Sequence, residues 1–167
     1  MANEAARVCI EAGDLKTAES LYRRGTLVGL KEPNIKPERI AVWNFRLEHA
    51  LARLAARRKQ KAEAAKHVAA ARKILDENAG MAQQQEVFYP YLTGYVALYL
   101  GDAAQAAADF EKANQNDAFI QVLQSMAYEK LGQKEKAREY FAKAAKSTGH
   151  NPRAAFASYY TRTHKLR

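Results

Sequence analysis

The sequence predicts an all-α chain, built as an array of stacked antiparallel helix hairpins and closed by a C-terminal capping helix. Three observations predict it. First, two consecutive stretches within Tyr89 to Ala145 carry the same punctuation. Counted from the turn glycines Gly101 and Gly132, an alanine stands at five residues (Ala106, Ala137), a phenylalanine at nine (Phe110, Phe141) and an alanine at twelve (Ala113, Ala144). A unit repeated with fixed offsets marks a repeat array, because one hairpin cannot bury its apolar face alone. Second, alanine is abundant and β-branched residues are sparse, which suits helix throughout. Third, no run alternates with period two as a half-buried strand would.

The elements follow in order. Residues 3–30 form a first hairpin about the Gly13-Asp14 turn, with Ala18, Tyr22 and Gly25 at the same offsets and Ala6 and Cys9 inside the first helix. A connector runs from Lys31 to Pro37, where Pro33 and Pro37 interrupt helix and Pro37 suits a first helical position. Residues 38–77 form a second, degenerate hairpin. Ile40, Trp43, Leu47, Leu51 and Leu54 make the stripe of its first helix. If Lys59 stands at the turn-glycine position, Ala64, Val68 and Ala71 fall at the three offsets. Asn78-Ala79-Gly80 stops that helix, and 78–86 reads as a connector. The hairpins 87–116 and 118–147 follow, with the small residues Gly94 and Ser125 midway along their first helices so that the partner helix approaches closely. Gly101 ends one helix in a left-handed turn, and Asp102 caps the next, with Gln105 three residues on. Asn151-Pro152 starts a capping helix over 152–164, with Ala155, Phe156, Tyr159 and Thr163 on one face.

The set Gly94, Gly101, Ala106, Phe110 and Ala113, repeated as Ser125, Gly132, Ala137, Phe141 and Ala144, resembles the tetratricopeptide repeat family. The resemblance implies a right-handed α-solenoid over 1–167 whose first helices line a concave groove, used as a protein-protein interaction scaffold without catalysis. Two departures stand out. Gly101 to Gly132 spans 31 residues rather than the family's 34, so a short connection is expected near Asn116-Asp117, and Ala118 and Gly149 stand where the family has proline.

The bulk properties narrow the function. The chain has 167 residues, a net charge of +9 and one cysteine, Cys9. No disulfide framework or cysteine metal site forms from one thiol. Nothing is long and apolar enough to span a membrane, and Met-Ala-Asn-Glu has no signal pattern, so a cytoplasmic chain is expected. His49, His67, His150 and His164 form no metal motif, and there is no nucleophile elbow or phosphate loop, so no catalytic residue, metal or cofactor is assigned.

Two features carry candidate binding residues. Phe88, Tyr91, Tyr95 and Tyr99 share one face of one helix, continued by Phe119, Val122 and Met126 in the next hairpin. They read either as the floor of a peptide groove or as core beneath the connector. Arg46, His49, Arg53 and Arg57 form a row on the long helix, with Arg7 beside them. That row reads either as a solvated face or as a groove wall matched to carboxylates or phosphates. The expected partner is a protein or peptide segment with acidic residues. The alternative is nucleic acid or another polyanion on a basic face, which the net charge supports.

Overall fold

A computed structural model describes residues 2–166. Every regular element among them is helical: α1 (Ala2–Ala12), α2 (Leu15–Gly29), α3 (Pro37–Arg57), α4 (Lys61–Glu77), α5 (Ala79–Gln85), a 3-10 turn (Glu86–Phe88), α6 (Tyr89–Leu100), α7 (Ala103–Phe110), α8 (Ala118–Lys130), α9 (Lys134–Ala145) and α10 (Pro152–Thr163). The helices pair as hairpins α1–α2, α3–α4, α6–α7 and α8–α9, and successive hairpins stack through α2 on α3, α3 on α6 and α7 on α8. This is the stacked-hairpin solenoid that the sequence predicts.

The four hairpins close by one device. Gly13, Gly101 and Gly132 adopt φ of 87°, 102° and 71°, and Lys59 adopts φ of 61° at the place where the register puts a turn glycine. After each of them a backbone N–H reaches back to the first helix: Asp14 to the Cys9 carbonyl, Gln60 to Ala55, Asp102 to Ala97 and Gln133 to Tyr128, each at 2.9 Å. A left-handed residue with this back-bond satisfies carbonyls that the helix end leaves open. The alanine five residues on is buried in all four hairpins (Ala18, Ala64, Ala106 and Ala137, at most 1% exposed), so the second helix always leaves the turn against its partner. Asp14 and Asp102 cap their second helices by accepting from the Thr17 and Gln105 N–H groups.

Two local features differ from the sequence reading. The connector expected over 78–86 is the short helix α5 and its 3-10 turn, because Met81 is buried in a cluster with Phe45, Leu75 and Leu92. The 31-residue spacing shortens a helix rather than the connection at 116–117. Helix α7 ends at Phe110, and the following loop folds around Gln115, whose amide donates to the Phe110 carbonyl (2.6 Å) and the Ala113 carbonyl (2.8 Å). A Cβ built on Gly94 would lie 2.7 Å from the Phe110 ring, so the ring fills the space that Gly94 leaves within its own hairpin.

Helix α10 begins as read: Asn151 accepts from the Arg153 and Ala154 N–H groups, and Pro152 follows. It packs on α8 and α9, and also on α1. The first and last helices of the array therefore touch, and this encloses the inner face.

Candidate functional site

The inner face is built from positions at fixed distances before each turn residue. Ten before stand Asn3, His49, Tyr91 and Val122. Six before stand Arg7, Arg53, Tyr95 and Met126. Two before stand Glu11, Arg57, Tyr99 and Lys130. Stacking the hairpins brings side chains of one row together, although they lie about 40 residues apart in sequence.

Much of this face is interior. Tyr91 is 6% exposed, Tyr95 0%, Phe119 1% and Val122 0%. These four, read as candidate contacts, are core. Tyr91 meets Tyr95 and Phe119 edge to face, both at 6.0 Å between centroids, and Phe156 of α10 covers Phe119 at 5.2 Å. Tyr99 and Met126 are half-buried against the same cluster. The capping helix and the meeting of α1 with α10 fill the groove that an open solenoid would leave.

Two arginines of the row, Arg53 and Arg57, are held by tyrosine hydroxyls, while Arg46 is exposed. Arg53, 2% exposed, donates to the Tyr91 hydroxyl (2.9 Å), to the Tyr22 hydroxyl (3.1 Å) and to its own helix at the His49 carbonyl. It ties α2, α3 and α6 together. Arg57 donates to Glu11 Oε2 and to the Tyr95 hydroxyl, both at 3.1 Å, while that hydroxyl donates to Glu11 Oε1 at 3.0 Å. The Arg57 guanidinium also lies 4.7 Å from the Tyr99 ring centre. Burial raises the Glu11 carboxyl above its usual value, and Arg57 and Tyr95 oppose this. The sequence reading missed Glu11. Its place two residues before Gly13, matching Arg57 before Lys59, was the signal available.

One part of the inner face stays open. A pocket of about 320 Å³ lies where α1, α3 and the α5–α6 junction meet the start of α10. Arg7, Arg46, Arg53 and Arg153 line it with His49, and Glu4 is its one carboxylate. Arg153 is paired outside it, with Asp117. Among the described residues no carboxylate lies within ion-pair distance of Arg7, Arg46 or Arg53. The Arg7 Nε and the Asn3 Oδ1 are buried with no hydrogen-bond partner. Burial, then Arg39 and Arg7, lower the pKa of Arg46. Phe88 is 41% exposed at the lip, and its carbonyl lies 3.2 Å from His49 Nε2. A carbonyl only accepts, so Nε2 carries the proton. Of the row read from sequence, Arg46 faces this pocket, His49 and Arg53 form its inner wall, and Arg57 lies apart with Glu11. Arg153 was not legible, because it comes from α10.

His49 gives a pH prediction. Burial, then Arg53, holds its imidazole well below the usual 6.5, so the folded chain keeps it neutral while the unfolded chain protonates it. A depressed folded value contributes stability that is present above the ordinary histidine range and lost as pH falls below it. Each pH unit of that range changes the balance by up to about 1.4 kcal/mol. Denaturant unfolding of wild type and His49→Gln from pH 7.5 to 5 is expected to show wild type losing stability faster. Parallel curves would mean that the imidazole protonates freely in the fold.

Among the described residues, no group of three His, Cys, Asp or Glu could hold a metal, and no helix is long and apolar enough to cross a membrane. Comparison with known families matches residues 120–151 to the tetratricopeptide repeat. No curated protein and no solved structure matches the chain. The matched segment holds nearly all of α8 and all of α9, a hairpin whose turn geometry and buried alanine recur three times before it. Residues 120–151 thus match a tetratricopeptide repeat, and the three hairpins before them share its turn geometry and buried alanine.

Proposed function

We propose that the chain is a protein-interaction module that holds an acidic group of a partner segment in the arginine pocket. Tetratricopeptide repeats are generally protein-protein interaction modules and typically non-catalytic scaffolds, and the reading assigns no reaction. The observation that carries it is the uncompensated charge: Arg7, Arg46 and Arg53 face one pocket with, among the described residues, no carboxylate in ion-pair distance, and the buried Arg7 Nε has no hydrogen-bond partner. Three like charges gathered around one cavity disfavour one another, and an incoming carboxylate relieves this. Planar guanidinium groups grip such an anion bidentately. Phe88 at the lip supplies apolar contact for the rest of the segment. The tyrosines serve as the frame: Tyr22 and Tyr91 fix Arg53, and Tyr95 fixes Arg57.

The test is a peptide array in which each acidic decamer is paired with its amidated, neutral counterpart. Wild type is expected to retain acidic members and to lose the amidated ones. Arg7→Gln/Arg46→Gln is expected to bind at least about tenfold more weakly, since each charge-assisted bond contributes about 1.5–3 kcal/mol. Its thermal unfolding should be unchanged or improved, because neither side chain has an ion-pair partner to lose. Equal retention of acidic and amidated peptides would overturn the reading, as would wild-type binding by the double variant.

A further inference from the structure

The charge of this chain is segregated. Residues 130–167 hold ten of the 27 Lys and Arg but only two of the 18 Asp and Glu, a net +8, and the first 129 residues carry the remaining +1. The excess therefore belongs to the last hairpin and α10.

The fold gathers part of this charge around aromatic rings. His164 Nε2 lies 2.9 Å from Glu129 Oε2, which sets the end of α10 beside the end of α8 and so beside Lys130. Tyr160 meets Phe141 of α9 at 6.2 Å between centroids. Lys134 and Arg138 lie seven and three residues before Phe141, on the side of α9 turned towards α10. Arg162 and Lys165 come from α10 and the residues after it. Lys130, Lys134, Arg138, Arg162 and Lys165 are all exposed, and among the described residues none has a carboxylate within ion-pair distance. Tyr160 and His164, on the side of α10 that meets Phe141, stack at 4.6 Å with an interplanar angle of 18°, and both are part-exposed. Tyr159 stands 66% exposed three residues before Arg162.

We infer that this basic, ring-bearing end binds single-stranded nucleic acid. The five cations match a phosphate backbone. The part-exposed rings offer planar faces on which unpaired bases stack without sequence readout. A membrane surface fits less well: the exposed rings here are tyrosine and histidine, and the exposed aliphatic side chain at this end, Leu131, is 36% accessible. Duplex would engage the cations but leave the rings unused. The inference does not depend on the arginine pocket, whose Arg7, Arg46 and Arg53 come from α1 and α3 and which α10 meets only at its start, through Arg153.

Fluorescence anisotropy of the full chain with labelled 20-nucleotide oligo(rU) and oligo(dT) tests it between about 50 and 200 mM salt. Wild type should bind both. Lys134→Glu/Arg138→Glu/Arg162→Glu should weaken binding at least about tenfold and reduce the slope of log affinity against log salt by about 2, at about 0.7 per lost phosphate contact. Lys16→Glu/Lys31→Glu/Lys36→Glu makes the same change in net charge elsewhere and should matter less than about threefold. Tyr159→Ala should weaken single strands by about fivefold or more and leave a duplex of the same length unaffected. Arg7→Gln/Arg46→Gln should bind oligonucleotides like wild type, which separates this site from the pocket. Equal losses in the two triple variants would overturn the inference, as diffuse charge would then explain the binding. It would equally be overturned by binding to phosphatidylserine vesicles without oligonucleotide binding, by duplex bound as tightly as single strand, or by no binding at all.

Discussion

Tyr95→Ala is expected to lower the unfolding free energy by about 3–5 kcal/mol, the range for truncating a buried aromatic side chain. The side chain is fully buried and lies between Tyr91 (6.0 Å) and Tyr99 (4.5 Å). Its hydroxyl accepts from Arg57 and donates to Glu11, a residue 84 positions away in the chain. Truncation therefore opens a cavity and also leaves a part-buried carboxylate with one fewer donor. Tyr95→Phe separates the two effects. It keeps the ring and removes the hydroxyl, and should account for about 1.5–3 kcal/mol of the loss, the range for a hydrogen bond to a charged group. Small domains are stable by only about 5–15 kcal/mol, so the alanine variant stands near the limit of folding. Urea unfolding followed by circular dichroism measures both variants. A loss below about 1 kcal/mol for Tyr95→Ala would place the ring in an accessible groove instead of the core.

The second large effect concerns Gly94 and Phe110, the small and aromatic positions of one hairpin. Phe110→Ala is expected to lower stability by about 3–5 kcal/mol, since the ring is fully buried. Gly94→Ala alone is expected to be destabilising by about 1–3 kcal/mol, because the new methyl would lie 2.7 Å from a ring packed between two helices. Without the clash, alanine in a helix interior is favoured over glycine by about 0.5–1 kcal/mol. The sign should therefore reverse in the Phe110→Ala background, where Gly94→Ala becomes stabilising. A double-mutant cycle reads this coupling directly. Additive losses would show that the ring does not occupy the space over Gly94. Ser125 holds the equivalent position in the next hairpin, where its hydroxyl donates to the Ala137 carbonyl at 2.9 Å. The small residue of the first helix thus meets a backbone carbonyl of α9 here, whereas Gly94 meets the Phe110 ring of α7.

The hairpins were legible in the sequence because their rules act within about 15 residues of each turn. The left-handed turn residue, the cap after it and the alanine five positions on all act through local backbone geometry. The reading extends even to Lys59, where no glycine marks the turn and the offsets alone locate φ of 61°. It weakened where one local solution could replace another. The short spacing between Gly101 and Gly132 allowed a short connection or a short helix, and the Gln115 amide made the second possible.

The candidate site divides along the same line. The sequence determined by itself that Phe88, Tyr91, Tyr95 and Tyr99 share a face, that Arg46, His49, Arg53 and Arg57 share another, and that both turn towards the inside of the array. Period and register encode which way a side chain points. Only the tertiary structure decided whether anything covers it. That depends on the angle between successive hairpins, summed until α10 reaches α1. No local pattern carries that sum. It buried Tyr91, Tyr95, Phe119 and Val122, joined Glu11 to Arg57 across 46 residues, and left open the pocket around Arg7 and Arg46.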